Sequence, residues 1–404
     1  MPAALRHRDF ALLWTGQSVS MVGDGVFTVA LALETLRIDR SPAALSFVLA
    51  ARIAPTVGLL LIGGVVVDRV PRRLAMLASD AVRGFAVAAI AAGVAAGRLR
   101  LWELITMSVV FGIADAFFTP AATAIVPELL PTDLLVQGSA LNSSSQQAAQ
   151  RLAGPALGGV IIAWLGIASA FAVDAASFAL SAGCLAAMTA RPGRAQSGRS
   201  ILAEAREGLR YCWSQRWLWV SILGSGIANF AAFSPLLVLV PLLVRHVLDE
   251  GPLTLGLVIA SGGAGGLLAS LVVARIGAPR LRVSAMWLGW GGAGGGVVAL
   301  SFAPNGWVAG ILFAAVWALI MYGTVLWYPL IQQRVPAELL GRASSVDLVV
   351  SFVLSPLGVV VAGVFAGTVG PRATMLAGGC IASLMALVLV VPGVRAPEQQ
   401  AQAG

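Results

Sequence analysis

The chain has no lysine: the 26 residues that carry a permanent positive charge are all arginine. A P-loop needs a lysine that reaches the nucleotide phosphates, and a Schiff base needs an amine nucleophile. A self-contained ATP-driven pump and Schiff-base enzymes are therefore excluded. Histidine occurs twice, and the wide spacing of Cys184, Cys212 and Cys380 predicts neither a metal site nor a disulfide framework. We expect no metal, no cofactor and no enzymatic activity.

Charged side chains of both signs are also scarce. They make up 11% of the 404 residues, whereas a soluble protein has about 25%. Hydrophobic residues make up 58%, and the mean hydropathy is +0.90. Such a chain cannot cover a water-facing surface, so its composition predicts a polytopic membrane protein.

Apolar stretches of about 20 residues, enough to cross a bilayer as a helix, occur twelve times. The first carries Asp24 and Glu34 and has no small-residue cleavage site behind it, so we expect no cleaved leader. The sequence thus predicts an all-α fold of twelve transmembrane helices. They cover residues 11–36, 42–67, 74–97, 101–125, 137–164, 168–190, 217–244, 252–275, 282–303, 306–330, 345–369 and 371–393.

The arginines lie mainly in short loops between these spans. With both termini inside, 17 of the 26 lie on the cytoplasmic side and six outside, so we expect cytoplasmic termini and a bacterial inner membrane. This placement also accounts for the pI near 10.8 without nucleic-acid binding. The polar segment 191–216 separates an N-terminal bundle (1–190) from a C-terminal bundle (217–394), and its residues 201–210 have the apolar spacing of an interfacial or a solvated helix. We expect 395–404 to be disordered.

The two halves repeat each other. Val126-Pro127 recurs as Val335-Pro336, and Gly154-Pro155 corresponds to Ser355-Pro356, both at offsets near 200–210 residues. Two pseudo-symmetric six-helix bundles are the architecture of many secondary transporters, with the substrate site between them.

The loop after the second span carries a recognisable motif. Gly64-Val65-Val66-Val67-Asp68-Arg69-Val70-Pro71-Arg72-Arg73 resembles the G-x-x-x-D-R-x-G-R-R signature of the major facilitator superfamily, with Pro71 in place of glycine. The resemblance implies a latch on the inner face; the alternative is a positively charged anchor loop. We expect Asp80 and Arg83 to extend the charge network. The gating residues are Gly64, Asp68, Arg69, Arg72, Arg73, Asp80 and Arg83.

The fifth span carries a second motif. Gly154, Pro155, Gly158 and Gly159 resemble the end of the G-P-x-x-G-G motif of proton-antiporting exporters, and this resemblance implies export rather than import. The alternative is a simple packing interface of small residues. The opening Leu5–Trp14 stretch, Phe117-Phe118-Thr119-Pro120 and Gly341-Arg342 are similar to the macrolide-efflux and enterobactin-exporter branch.

Ionisable residues within the spans are candidates for proton coupling, because each is costly to insert. Asp24 and Asp115 are predicted proton carriers, with Arg151 acting on a nearby carboxylate; alternatively, Asp24 forms a structural salt bridge with Arg52 or Arg151. Asp174 and Glu34 are interpreted as ordinary interfacial charges.

A substrate cavity is predicted from polar and aromatic residues that share helix faces. The alternative for the aromatic residues, above all Trp287 and Trp290 of the ninth span, is packing or lipid contact. The predicted cavity residues are Gln17, Asn229, Phe233, Trp317, Met321, Thr324 and Tyr328.

These observations predict a monomeric, proton-coupled exporter of hydrophobic or amphipathic small molecules that works by alternating access. The alternatives are a dedicated exporter of one natural product such as a siderophore, an importer or facilitator, a lipid flippase, and a non-transporting scaffold.

Overall fold

The computed structural model describes residues 2–67, 69–189 and 201–395, and this part of the chain is built from helices. Twelve of the helices are long and apolar enough to cross a membrane, which confirms the expected all-α fold with twelve spans. The helices are α1 Arg8–Ile38, α2 Pro42–Val67, α3 Arg72–Ala95, α4 Leu101–Leu129, α5 Thr132–Leu165, α6 Ile167–Ala187, α7 Ile201–Ser214, α8 Arg216–Val247, α9 Pro252–Ile276, α10 Arg282–Ser301, α11 Gly306–Arg334, α12 Glu338–Val369 and α13 Pro371–Val390.

The chain divides into two compact units. The first contains α1 to α6 together with Asp249–Ala260, the beginning of α9; the second contains α7, α8, the rest of α9 and α10 to α13. The shorter helix α7 occupies most of the predicted linker 191–216. Residues 190–200 of that region, and 396–404 of the predicted tail 395–404, lie outside the described residues.

Both units contain the same tight turn between two spans. A single glycine joins α5 to α6 (Gly166, φ +84°) and α12 to α13 (Gly370, φ +89°). These backbone conformations, with ψ near 160–170°, are essentially restricted to glycine. The equivalent turns agree with the internal repeat seen in the sequence.

In the first unit, α1 is the central helix, and small residues let its neighbours come close. A Cβ atom added to Gly25 would lie 2.7 Å from the Cα atom of Gly154 in α5, so the two backbones are in direct contact there. Further along, the rings of Phe27 and Phe111 stack with their centroids 5.2 Å apart and hold α1 against α4. Eighteen of the 31 residues of α1 are buried, including Asp24.

In the second unit, the aromatic residues of α10 belong to the core. Trp287 is fully buried, Trp290 lies 5.4 Å from it, and Trp327 of α11 follows at 6.2 Å from Trp290, measured between ring centroids. Trp287 and Trp290 of the ninth span therefore pack inside the bundle, which was one of the alternatives for them.

Two of the spans contain short π-helical segments, at Gln146–Ala153 in α5 and at Asn229–Phe233 and Leu243–Val247 in α8. A π-helical turn widens the helix locally and often occurs at functional sites. Two of these segments hold residues predicted for the site: Arg151 in α5, and Asn229 and Phe233 in α8.

Candidate functional site

A cavity of about 590 Å³ lies within the first unit, between α1, α3, α4 and α5. Twelve of the 18 residues that line it are polar or charged, and α5 supplies most of the amides. The charged and amide side chains that line the cavity are Gln17, Asp24, Arg83, Asp115, Asn142, Gln146 and Gln150. The predicted proton-coupling residues Asp24 and Asp115 and the predicted cavity residue Gln17 therefore come together in one place.

Asp24 is almost completely buried at the middle of α1. Its Oδ1 atom has no hydrogen-bond partner within the described residues. Arg52, one of the salt-bridge partners considered for it, places its guanidinium over the rings of Phe27 and Phe111, 5.0 and 4.6 Å from the centroids. A buried carboxylate oxygen without a donor is costly, so Asp24 gains from either a proton or a cation.

Arg83 connects two carboxylates across the wall of the cavity. It forms an ion pair with Asp80, one turn away on α3, and its Nη1 lies 3.3 Å from Oδ1 of Asp115 on α4. Asp80 also accepts a hydrogen bond of 2.7 Å from the Ser181 hydroxyl. Asp80 and Arg83 are buried, whereas 31% of the Asp115 side chain is exposed, so the network meets the cavity through Asp115.

Aromatic rings surround the Arg83 guanidinium. Its Cζ lies 3.9 Å from the centroid of Phe118 and 4.8 Å from that of Phe178. Ring faces attract a cation and shield it from water, so they hold Arg83 in place. The carboxyl groups of Asp24, Asp80 and Asp115 therefore share this region with two guanidinium groups that lie against aromatic rings, those of Arg83 and Arg52.

Asp174 was interpreted from the sequence as an interfacial charge, and the structure corrects this. Its side chain is fully buried in α6 beside Gly23, the residue before Asp24. The Ser177 hydroxyl donates a 3.3 Å hydrogen bond to Oδ1, while Oδ2 has no partner among the described residues. The sequence does contain an indication of this burial, because the spacing of Asp174, Ser177 and Ser181 places all three on one helix face. Glu34 is also buried, paired with Arg37 at 2.7 Å.

Arg151 lies on the π-helical part of α5, next to the cavity residue Gln150 but not among the lining residues itself. Gln146 and Gln150, four residues apart, turn toward the cavity. The polar face of α5 thus supplies amides to the site.

The gating motif contacts the ends of two neighbouring helices. Arg72 pairs with Glu128 at 2.9 Å and donates to the Ala124 carbonyl near the end of α4, while Arg73 donates to the Leu185 and Ala186 carbonyls at the end of α6, both at 2.6 Å. A cation at a helix C-terminus is favourable because the helix dipole is negative there.

The other described residues of this motif lie in or beside the loop between α2 and α3. Arg69 is exposed, and Gly64 lies in the last turns of α2. Pro71, with φ −52°, precedes the first residue of α3, where its fixed φ is compatible with a helix start. Asp68 lies outside the described residues.

The Gly-Pro motif lies where α5 contacts two other helices. A Cβ atom on Gly158 would lie 3.0 Å from the Cα of Val26 in α1, and one on Gly159 would lie 3.1 Å from the Cα of Gly256 in α9. Gly154 and Pro155 are buried in the same contact. Close packing of the three helices therefore depends on these glycines.

The aromatic residues predicted for the C-terminal half lie in the second unit. Trp317 packs on Phe313 with the centroids 6.3 Å apart, the Thr324 hydroxyl donates to the Ile320 carbonyl, and Tyr328 is half exposed. Met321 lies in α11 with them, while Asn229 and Phe233 bound the π-helical segment of α8. They do not line the cavity of the first unit.

Among the described residues, no cluster of His, Cys, Asp or Glu could hold a metal ion. The ionisable groups around the cavity can hold and exchange protons or attract a cation.

The chain is similar to known efflux proteins along almost its whole length. It is 29% identical over 383 residues to "Multidrug efflux pump Tap" of Mycobacterium tuberculosis, covering 89% of this chain and 87% of that protein. It is 23% identical over 394 residues to "Macrolide efflux protein A" of Streptococcus pyogenes, covering 94% of each.

The fold is that of solved transporters. A bacterial homologue of the iron transporter ferroportin, in an inward-facing state, superposes with a TM-score of 0.73 at 16% identity, over 95% of this chain and 98% of that one. The sequence model of the family described as "Transmembrane secretion effector" matches residues 2–403. The chain belongs to this family of the major facilitator superfamily, whose members are transporters rather than enzymes.

Proposed function

We propose that the chain exports amphipathic small molecules in exchange for protons, by alternating access. The observation that carries this proposal is the cavity of the first unit, where Asp24 and Asp115 share a polar wall with Arg83. The similarity to proteins named for multidrug and macrolide efflux supports export.

Asp24 is the group that we assign to the exchange. Its buried, unpartnered oxygen gains a partner by taking up a proton or by contacting a cationic substrate, and it cannot do both at once. Competition of this kind couples the two movements: a proton that enters from one side displaces the substrate toward that side.

Asp115 and Arg83 have a supporting part in this scheme. Protonation of Asp115 weakens its 3.3 Å contact with Arg83, which keeps its second carboxylate, Asp80. The network therefore tolerates two protonation states of Asp115 without leaving a buried arginine unpaired.

The other site residues have roles in the cycle. Arg69, Arg72 and Arg73 latch one end of the first unit together with Asp68 and Gly64, and the glycines of the Gly-Pro motif keep α1, α5 and α9 close while the units move. Arg151 adjusts the charge near Asp24. Substrate contacts on the second unit come from Asn229, Phe233, Trp317, Met321, Thr324 and Tyr328.

We place the protein, as a monomer, in the bacterial inner membrane with both termini in the cytoplasm. The excess of arginine in the loops on that side supports this orientation.

Purified protein in liposomes with an internal pH dye tests the proposal. A proton gradient is imposed, and macrolides, cationic dyes and catecholate siderophores are added to the wild type, to Asp24→Asn and to the control Asp133→Asn, whose side chain is exposed. We expect proton movement that depends on substrate in the wild type and the control, and its loss in Asp24→Asn.

The panel also separates the alternatives. Activity with many compounds indicates a multidrug exporter, and activity with one indicates a dedicated exporter. Substrate movement without proton movement would contradict the proposal and favour a facilitator or a flippase.

A further inference from the structure

The linker helix α7 has one packed face. Gly208 and Cys212 are buried against the beginning of α12, and a Cβ atom on Gly208 would lie 2.9 Å from the Arg342 carbonyl oxygen. Glu207 forms an ion pair with Arg342 at 2.6 Å. The helix is therefore docked on the beginning of α12 along this face.

The opposite face of α7 is exposed. It consists of Arg206, Leu209, Arg210 and Trp213, whose spacing of three and four residues places them in one stripe along the helix. Half of Leu209 and 63% of Trp213 are accessible. We call these four residues the arginine–tryptophan face.

The contacts of α7 place it beside the beginnings of two predicted spans. The Trp213 ring stacks on Trp219 with the centroids 5.3 Å apart, and Trp219 lies in the first turn of the membrane span α8. On the packed side, Arg342 lies near the beginning of the span α12. The helix thus lies beside the ends of two spans, and tryptophans are common at such ends because they favour the membrane–water boundary.

The chemistry of this face matches a lipid headgroup. An arginine guanidinium can bind a phosphate through two parallel hydrogen bonds, and leucine and tryptophan side chains favour the boundary between headgroups and acyl chains. Among the side chains that the structure describes on α7, the acidic one beside this face is Glu207, and it is paired with Arg342. The face therefore combines positive charge with apolar surface.

We propose that the arginine–tryptophan face of α7 binds the headgroups of anionic phospholipids in the leaflet next to it. Arg206 and Arg210 contact the phosphates, and Leu209 and Trp213 reach the upper acyl chains. This site goes beyond the proposed transport function and does not depend on proton coupling.

Quenching of Trp213 fluorescence by brominated lipids tests the proposal on the full-length protein in nanodiscs. Nanodiscs contain either brominated phosphatidylglycerol or brominated phosphatidylcholine at increasing mole fractions in unlabelled phosphatidylcholine. The contribution of Trp213 is the difference between the wild type and Trp213→Phe. We expect half-maximal quenching at a roughly tenfold lower mole fraction of the anionic lipid, because each arginine near the surface adds attraction.

The double variant Arg206→Gln/Arg210→Gln should lose most of this preference. The matched control is Arg275→Gln/Arg280→Gln, which removes the same charge from two exposed arginines elsewhere and should keep it. Equal quenching by both lipids in the wild type would overturn the proposal, and so would no quenching by either, which would place the face in water or against another protein. Transport is not measured, so failure here is separate from failure of the proposed function.

Discussion

Asp80 and Asp115 differ in how much the fold needs each of them, although both contact Arg83. Asp80 and Arg83 are buried, whereas Asp115 is partly open to the cavity. Removing one partner of a buried ion pair leaves an uncompensated charge and costs about 3–5 kcal/mol. A partly exposed contact is worth about 1 kcal/mol or less.

We therefore expect Asp80→Asn to lower the stability of the purified protein by roughly 3 kcal/mol or more, and Asp115→Asn by about 1 kcal/mol or less. Thermal unfolding in detergent, followed by intrinsic fluorescence, measures both, with Asp133→Asn as the exposed control. Equal destabilisation by the two network variants would contradict the difference assigned to them.

The sequence singles out residues that line one cavity in the structure, but it does not predict their contacts. Asp24, Asp115 and Arg83 could be singled out because each lies in an apolar span, where a charge is costly. Arg83 and Asp115 are 32 residues apart and lie on different helices, so helical spacing contains no information about their contact. The position of Asp174 in its predicted span suggests an interfacial charge, whereas the helix face that it shares with Ser177 and Ser181 is buried.

At the level of elements, the glycine turn between α12 and α13 is a position where an added side chain should lower the stability of the protein. Gly370 has φ +89°, which other residues adopt only with strain, whereas Gly367 is helical with open space around its Cα. We expect Gly370→Ala to destabilise the protein by about 1–3 kcal/mol. Gly367→Ala should be neutral or slightly stabilising, because alanine favours the helix. Thermal unfolding measures the stability of both variants. If Gly367→Ala were the less stable one, a side chain at Gly370 would not strain this turn.

The docking of α7 on α12 can be followed through Cys212. Burial, together with the negative charge of Asp347, raises the pKa of the Cys212 thiol to about 11. Since the thiolate is the reactive form, maleimide should label Cys212 slowly at pH 8, and the rate should rise about tenfold per pH unit below that pKa.

In Gly208→Leu, the leucine side chain would collide with the Arg342 backbone, so we expect α7 to separate from α12. Labelling of Cys212 at pH 8 should then be at least tenfold faster. The control Glu207→Gln should change the rate by less than about threefold, since a half-exposed ion pair contributes little. Both are measured in a background with Cys184→Ser and Cys380→Ser. Fast labelling before any substitution would mean that α7 is not docked.

The helical spans themselves could be predicted because length and hydropathy determine them almost completely. The docked position of α7 could not, since its apolar spacing fits an interfacial helix as well as a packed one. In the sequence, the packed face differs from the exposed face only by the missing side chain at Gly208. This does not predict docking, because glycine also occurs in helices that pack against nothing.

For the molecule as a whole, most buried carboxyl groups lie in one unit and the buried tryptophans lie in the other. Among the described residues, the first unit has the buried carboxyl groups Asp24, Glu34, Asp80 and Asp174, and the second has the tryptophan core around Trp287 and a single buried aspartate, Asp347. Asp347 accepts hydrogen bonds from the Trp327 indole and the Ser351 hydroxyl, so its oxygens already have donors. This contrast is why we assign the proton exchange to the first unit.

Competition between a proton and the substrate for Asp24 can be measured as the release of a proton when the substrate binds. Purified protein in weakly buffered detergent solution with a pH dye is mixed with a cationic compound that the liposome assay has shown to be transported. We expect release of up to one proton per bound molecule by the wild type, weaker binding as the pH falls, and binding without release by Asp24→Asn. Binding to the wild type with no proton release at any pH would contradict the account.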